Sequence, residues 1–204
     1  MGRATRSCPC WRRSSPSCRA TRFFTPLRPE LTHNFQLVMT GMRHEHTWQQ
    51  ALLAESLAQL PDYAEYIGSA RASVGGLAYY LTVLILLDDP STAHVPAQLD
   101  ELAMQASLCV RLANDLATHA RERAEGGVTA IRIHQDAATA TGLDHRAALA
   151  DATSRVTDDL HHALNRLSRL AATPSTATGL PERALLRMAH ATCAQYARSD
   201  FRPS

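Results

Sequence analysis

The stretch QLDELAMQASLCVRLANDLATHARERAEGG, residues 98–127, decides how this chain is read. Rich in Ala and Leu and free of proline, it predicts one long helix that Gly126-Gly127 closes. Asn114, Thr118 and Glu122 recur every four residues, so they stack along one face, with Arg111 about one turn earlier. A carboxamide, a hydroxyl and a carboxylate in register can all offer oxygen to a common point. Such donors suit a hard cation, Mg²⁺ or Mn²⁺, better than zinc. Mg²⁺ keeps water and substrate phosphates in its shell, so three protein oxygens in a row fit a metal shared with a diphosphate. The same spacing serves equally well as the exposed face of a surface helix.

Composition narrows the class. The chain of 204 residues carries a formal charge of +2 and no lysine, so all 21 basic residues are arginine. Seven of them fall in residues 1–29, which hold no acid. The remaining 14 face all 19 acids, which leaves the body mildly acidic and speaks against a nucleic-acid-binding surface there. We therefore divide the chain into a basic, Cys/Arg-rich tail (1–29) and a body (30–204). The tail is expected to be disordered or the product of a misassigned start. Cys8, Cys10 and Cys18 lack a fourth ligand and a zinc spacing. Cys109 and Cys193 sit in apolar helical contexts and read as buried thiols of an intracellular protein, with a cytoplasmic location expected.

An apolar content of 45% with only 5% aromatic residues, much of it Ala and Leu, favours an all-α body. Helical patterns cover about residues 31–59, 69–87, 96–125, 145–170 and 182–201, with a turn and short helix in GGVTAIRIHQ (126–135). Gly75-Gly76 marks a break inside the second of these. LAYYLTVLILL (77–87) is too short to span a bilayer and reads as a core helix. The expected architecture is an antiparallel helical bundle without a sheet. Asp158 and His162 share a face at a spacing that could bind a metal, but a solvated face is the better reading.

The run N114-D115-L116-A117-T118-H119-A120-R121-E122 resembles the second metal motif of class I terpene synthases, (N/D)Dxx(S/T)xxxE. The resemblance implies that Asn114, Thr118 and Glu122 ligate Mg²⁺, and that Arg121 belongs to the diphosphate-binding set. Upstream, EYIGSARASVGG (65–76) is similar to the segment with the family's diphosphate-sensing arginine, here Arg71, 43 residues before Asn114. Ser73, Val74 and Gly75 would then form the helix break that faces the carbocation. HEHTWQQALLAESLAQLPDYAEYI (44–67) looks like the family's tryptophan-bearing helix and proline turn. QYARSDF (195–201) resembles the C-terminal segment that closes the site, with Tyr196 and Asp200 as its residues.

The resemblance implies the C-terminal part of a terpene cyclase of bacterial type, a carbon–oxygen lyase of isoprenoid secondary metabolism. It would draw diphosphate from a C10, C15 or C20 prenyl substrate with Mg²⁺, or Mn²⁺ in its place, and cyclise the cation. Leu77, Tyr79, Tyr80, Leu108 and Trp48 are candidates for an apolar wall, or for ordinary core. One departure stands out. The family's aspartate-rich motif belongs well before Arg71, yet no aspartate precedes Asp62, and Asp88-Asp89 sit in a loop after Arg71. An inactive remnant or a helical interaction module is the alternative reading. The expected geometry puts Asn114, Thr118, Glu122 and Arg71 around one concavity. Apolar surface is expected where further helices would pack, and with it self-association; no membrane span or nucleic-acid partner is expected.

Overall fold

The computed structural model describes residues 24–54, 60–94 and 96–198, and all the structural statements that follow concern these. Seven α-helices and no strand are present among them. They are α1 (Phe24–Leu53), α2 (Tyr63–Ser73), α3 (Gly76–Leu87), α4 (Pro96–Ala124), α5 (Ala130–Ala140), α6 (His145–Ala172) and α7 (Leu180–Tyr196). A 3-10 turn, Pro90–His94, precedes α4. The first helix begins at Phe24, six residues inside the stretch set apart as a tail. The long helix read from the sequence is α4, within two residues at each end.

Local chemistry sets several boundaries. Asp62, Thr129 and Asp144 cap α2, α5 and α6, each side chain accepting from backbone N–H groups of the first turn. At the end of α4, Gly126 takes φ +77°, and Gly127 N–H bonds the carbonyl of Glu122 at 2.6 Å. This left-handed closure is open to glycine and fixes the backbone of Glu122. The expected break falls between α2 and α3, where Gly75 has φ +79° and the chain bends by 41°.

Helix α4 is the centre of the bundle, with α2, α3, α5, α6 and α7 packed around it. Its inward face carries Leu102, Ala106, Cys109, Leu112 and Ala113, all at most 5% exposed. Burial of such side chains stabilises by about 1.5–3 kcal/mol for each large one. Gln105 reaches the Ala163 carbonyl while Arg166 pairs with Glu101, so α4 and α6 run antiparallel. Trp48, Leu77 and Tyr80 belong to the core, whereas Tyr79 points outward because it lies on the opposite side of α3 from Leu77 and Leu84.

Helix α1 lies on α2 and α3. Its first turns line a pocket with the first turns of α4, and Gln49 near its end bonds the Glu125 carbonyl just past α4. The two helices therefore run the same way and flank a groove floored by the α2–α3 pair. Phe35, Met39 and Met42 stand exposed on α1. No single described helix is long and apolar enough to cross a membrane.

Candidate functional site

The sequence stripe opens into the groove between α1 and α4. Asn114, Arg121 and Glu122 line a cleft of about 500 Å³ together with Arg111 and, from α1, Glu45, His46 and Gln49. Thr118 is buried beneath them. Its hydroxyl is 2.6 Å from Glu122 Oε1 and 2.8 Å from the Asn114 carbonyl, so one proton has two acceptors. Donating that proton to the carbonyl leaves a hydroxyl lone pair beside a free carboxylate oxygen. The donor set fits a hard divalent cation: a neutral hydroxyl, a carboxylate and an amide oxygen on one helical face. No cluster of three His, Cys, Asp or Glu side chains forms a competing metal site among the described residues.

Beneath the cleft the charges are locked together. Asp115 is fully buried and accepts from Tyr66 Oη at 2.7 Å and from the Ala130 backbone N–H at 2.8 Å. Arg111 Nε stands 2.8 Å from its other oxygen and donates to Tyr66 Oη at 2.9 Å. Burial pushes the Asp115 carboxyl up to about 6, although the Arg111 charge pulls the other way. Burial also opposes the Arg111 cation, but Asp115, Tyr66, Glu45 and Glu122 outweigh it and hold the guanidinium charged. Desolvation likewise raises Tyr66, so its phenol stays protonated. One knot thus joins α2, α4 and the start of α5.

The structure separates the other expected residues. Ser73 ends α2, with its hydroxyl on Glu45 at 2.7 Å, Val74 caps the helix, and Gly75 carries the left-handed turn. Arg71 does not line the cleft. The helical repeat of α2 sets it one turn beyond Ile67 and two beyond Tyr63, which line a separate hollow with Leu108, Leu112 and His162. The arginines in the cleft are Arg111 and Arg121. Tyr196 packs half-buried against the core, and Asp200 lies outside the described residues. Asp158 and His162 are exposed on α6. Sequence reading missed Glu45. Its one signal is Gly41, a turn earlier, where an added Cβ would stand 2.9 Å from the Ser69 carbonyl, so α1 and α2 nearly touch.

Fold and cleft together define an all-helical protein with an oxygen-rich site on its central helix. Residues 10–162 match the family model described as terpene synthase family 2, C-terminal metal binding, and the chain belongs to that family. Among similar proteins is the bifunctional cis-abienol synthase, chloroplastic, of Abies balsamea, 32% identical over 95 residues. The aligned stretch is 46% of this chain and 10% of that protein, so the chain spans about a tenth of its relative's length. That relative is a plant protein, and the bacterial type expected from the sequence finds no support in it.

Proposed function

We propose that the α1–α4 cleft binds a divalent cation, Mg²⁺ in the cell, together with the diphosphate of a C10, C15 or C20 prenyl substrate. One observation carries this reading: the Thr118 hydroxyl and the Glu122 carboxylate converge at 2.6 Å on the face that Asn114 shares, at the wall of a cleft that Asn114 and Glu122 line with two arginines. Asn114, Thr118 and Glu122 would hold the cation, which supplies positive charge against the leaving diphosphate. Arg121 lines the same cleft and is the residue we assign to the diphosphate oxygens, a task suited to a guanidinium fork.

The groove also offers room for the hydrocarbon. A separate pocket of about 240 Å³ lies between the first turns of α1 and α4, walled by Leu77, Leu81, Leu84, Leu99 and Ala103 and lined as well by Glu30, Asn34 and Asp100. Ala103 lies eleven residues before Asn114, about 16 Å along the helix axis. A prenyl chain reaching from the cleft to this pocket would set its hydrocarbon tail against these leucines, away from water. The family's aspartate-rich motif has no counterpart before Arg71, so the share we assign to this chain is cation and diphosphate binding, with turnover weak by itself.

The test is binding of a non-hydrolysable farnesyl thiodiphosphate by calorimetry, with and without Mg²⁺. Saturable binding that requires Mg²⁺ and disappears in Glu122→Ala is expected. Equal binding without Mg²⁺ would sink the proposal.

A further inference from the structure

Resting on that reading, we infer that Glu45 of α1 is a positioning residue that ties the α2–α3 break to the metal-binding face of α4. Its Oε1 accepts from two groups at once: Ser73 Oγ at 2.7 Å and Arg111 Nη1 at 2.8 Å. Ser73 is the last residue of α2, directly before the break at Val74-Gly75. Arg111 stands three residues before Asn114, and its remaining nitrogens are held by Tyr66 and Asp115. A single carboxylate oxygen therefore joins three helices at the wall of the cleft.

A second feature makes this junction a built one. Gly41, one turn before Glu45, faces Ser69 and Ser73 so closely that an added Cβ would lie 2.9 Å from the Ser69 carbonyl and 3.0 Å from Ser73 Cβ. The close approach of α1 to α2 brings the Glu45 side chain within reach of both partners. The Glu45 side chain is 30% exposed, whereas that of Arg111 is 7% exposed. Without Glu45, the Arg111 Nη1 edge loses its acceptor while Tyr66 and Asp115 keep the rest of the guanidinium in place, which leaves its charge less balanced at the cleft wall that Asn114 shares. The Ser73 hydroxyl, whose one proton has the Ala70 carbonyl at 2.9 Å as its other acceptor, then turns wholly to its own helix and no longer ties α2 to α1. Partners that orient a ligand rather than touch the metal commonly change metal affinity by about 10–100-fold.

The test measures Mn²⁺ affinity by electron paramagnetic resonance, in the presence of inorganic pyrophosphate, for wild type, Glu45→Ala, Glu45→Gln, Ser73→Ala and Asn114→Ala. Thermal unfolding is followed in parallel. The expected loss in Glu45→Ala is at least about tenfold. Glu45→Gln keeps an oxygen that accepts from both partners and should recover most of that loss. Ser73→Ala removes one arm and should weaken binding by about fivefold, the worth of a hydrogen bond near 1 kcal/mol. Should Glu45→Ala fail to fold, Glu45→Gln and Ser73→Ala decide. Wild-type affinity in Ser73→Ala, or a Glu45→Gln loss as large as that of Asn114→Ala, would overturn the positioning role. If Asn114→Ala loses binding while Glu45→Ala folds and keeps it, this inference alone fails. If the wild type binds no Mn²⁺ with pyrophosphate, the cleft reading fails and takes this inference with it.

Discussion

Thr118 Oγ1 lies 2.6 Å from Glu122 Oε1 across one turn of α4, and the same hydroxyl lies 2.8 Å from the Asn114 carbonyl. The pair is a switchable contact, because the single hydroxyl proton can serve either acceptor. Thr118→Val keeps the shape and removes the oxygen. It should lower Mn²⁺ affinity about tenfold while changing stability by no more than about 1.5 kcal/mol, the net worth of one hydrogen bond. Thr118→Ser should retain binding. Calorimetric titration of both variants checks this, and equal affinities would remove Thr118 from the site.

Asp115 is the structural member of the same motif. It is fully buried against Tyr66, Arg111 and the Ala130 amide. Asp115→Ala leaves the Arg111 charge without its fully buried carboxylate partner, with Glu45 left to balance it, and removing one member of a buried pair commonly costs about 3–5 kcal/mol. Urea unfolding should show that loss, and Asn114→Ala, at a half-buried position, should show much less.

Gly76 opens α3 against Ser107, whose Oγ would stand 2.3 Å from an added Cβ. Gly76→Ala should destabilise by about 1–3 kcal/mol through overpacking, since Ser107 is fully buried and its Cβ and Cα still stand 3.1 and 3.3 Å from the added carbon when the hydroxyl rotates. A thermal shift measures it. Gly68→Ala, where an added Cβ meets nothing within 4 Å, is the control and should leave stability level or raised.

Much of this was legible because the signals were local. The all-α fold followed from composition and period, and the break at Gly75 followed from two adjacent glycines. Asn114, Thr118 and Glu122 announced themselves by i, i+4 spacing on one helix. What the sequence concealed depended on how helices pack on one another. Arg71 and Ser73 are two residues apart, yet the helical turn sends Ser73 to the α1 junction and leaves Arg71 in register with Ile67, outside the cleft. Glu45 looked like one charge among several in RHEHTW, because only the close passage at Gly41 gives it partners on α2 and α4. Tyr79 and Tyr80 are adjacent in an apolar run, and the packing of α3 buries one and exposes the other.

Groups far from the cleft lose folded-state stability in acid. Hydrogen bonds from Ser91 and then Thr178 hold the Asp89 carboxyl below its ordinary value. Burial opposes ionisation of Glu182, but bonds from Thr176 and Ser175 prevail and hold it low. Burial also lowers His134. Depressed carboxylates contribute stability above their unfolded values and lose it as pH falls through the folded ones; a depressed histidine loses stability as pH falls below its unfolded value near 6.5. Asp115, pushed up to about 6, works the other way and gains stability as pH falls through that value, so the depressed groups show in their own variants rather than in the total. In Glu182→Gln the gap from wild type should narrow as pH drops through the carboxylate range. A gap that stays constant in urea unfolding at pH 7, 5 and 3.5 would contradict this.

The most direct test of the central claim is a Mn²⁺ titration of the chain in the presence of inorganic pyrophosphate, compared with Asn114→Ala and Glu122→Gln. The account predicts saturable binding by the wild-type protein that needs pyrophosphate for full affinity, and a loss of at least about tenfold in each variant, with folding intact by circular dichroism. Binding that is unchanged in both variants, or no binding by the wild-type chain, would contradict it.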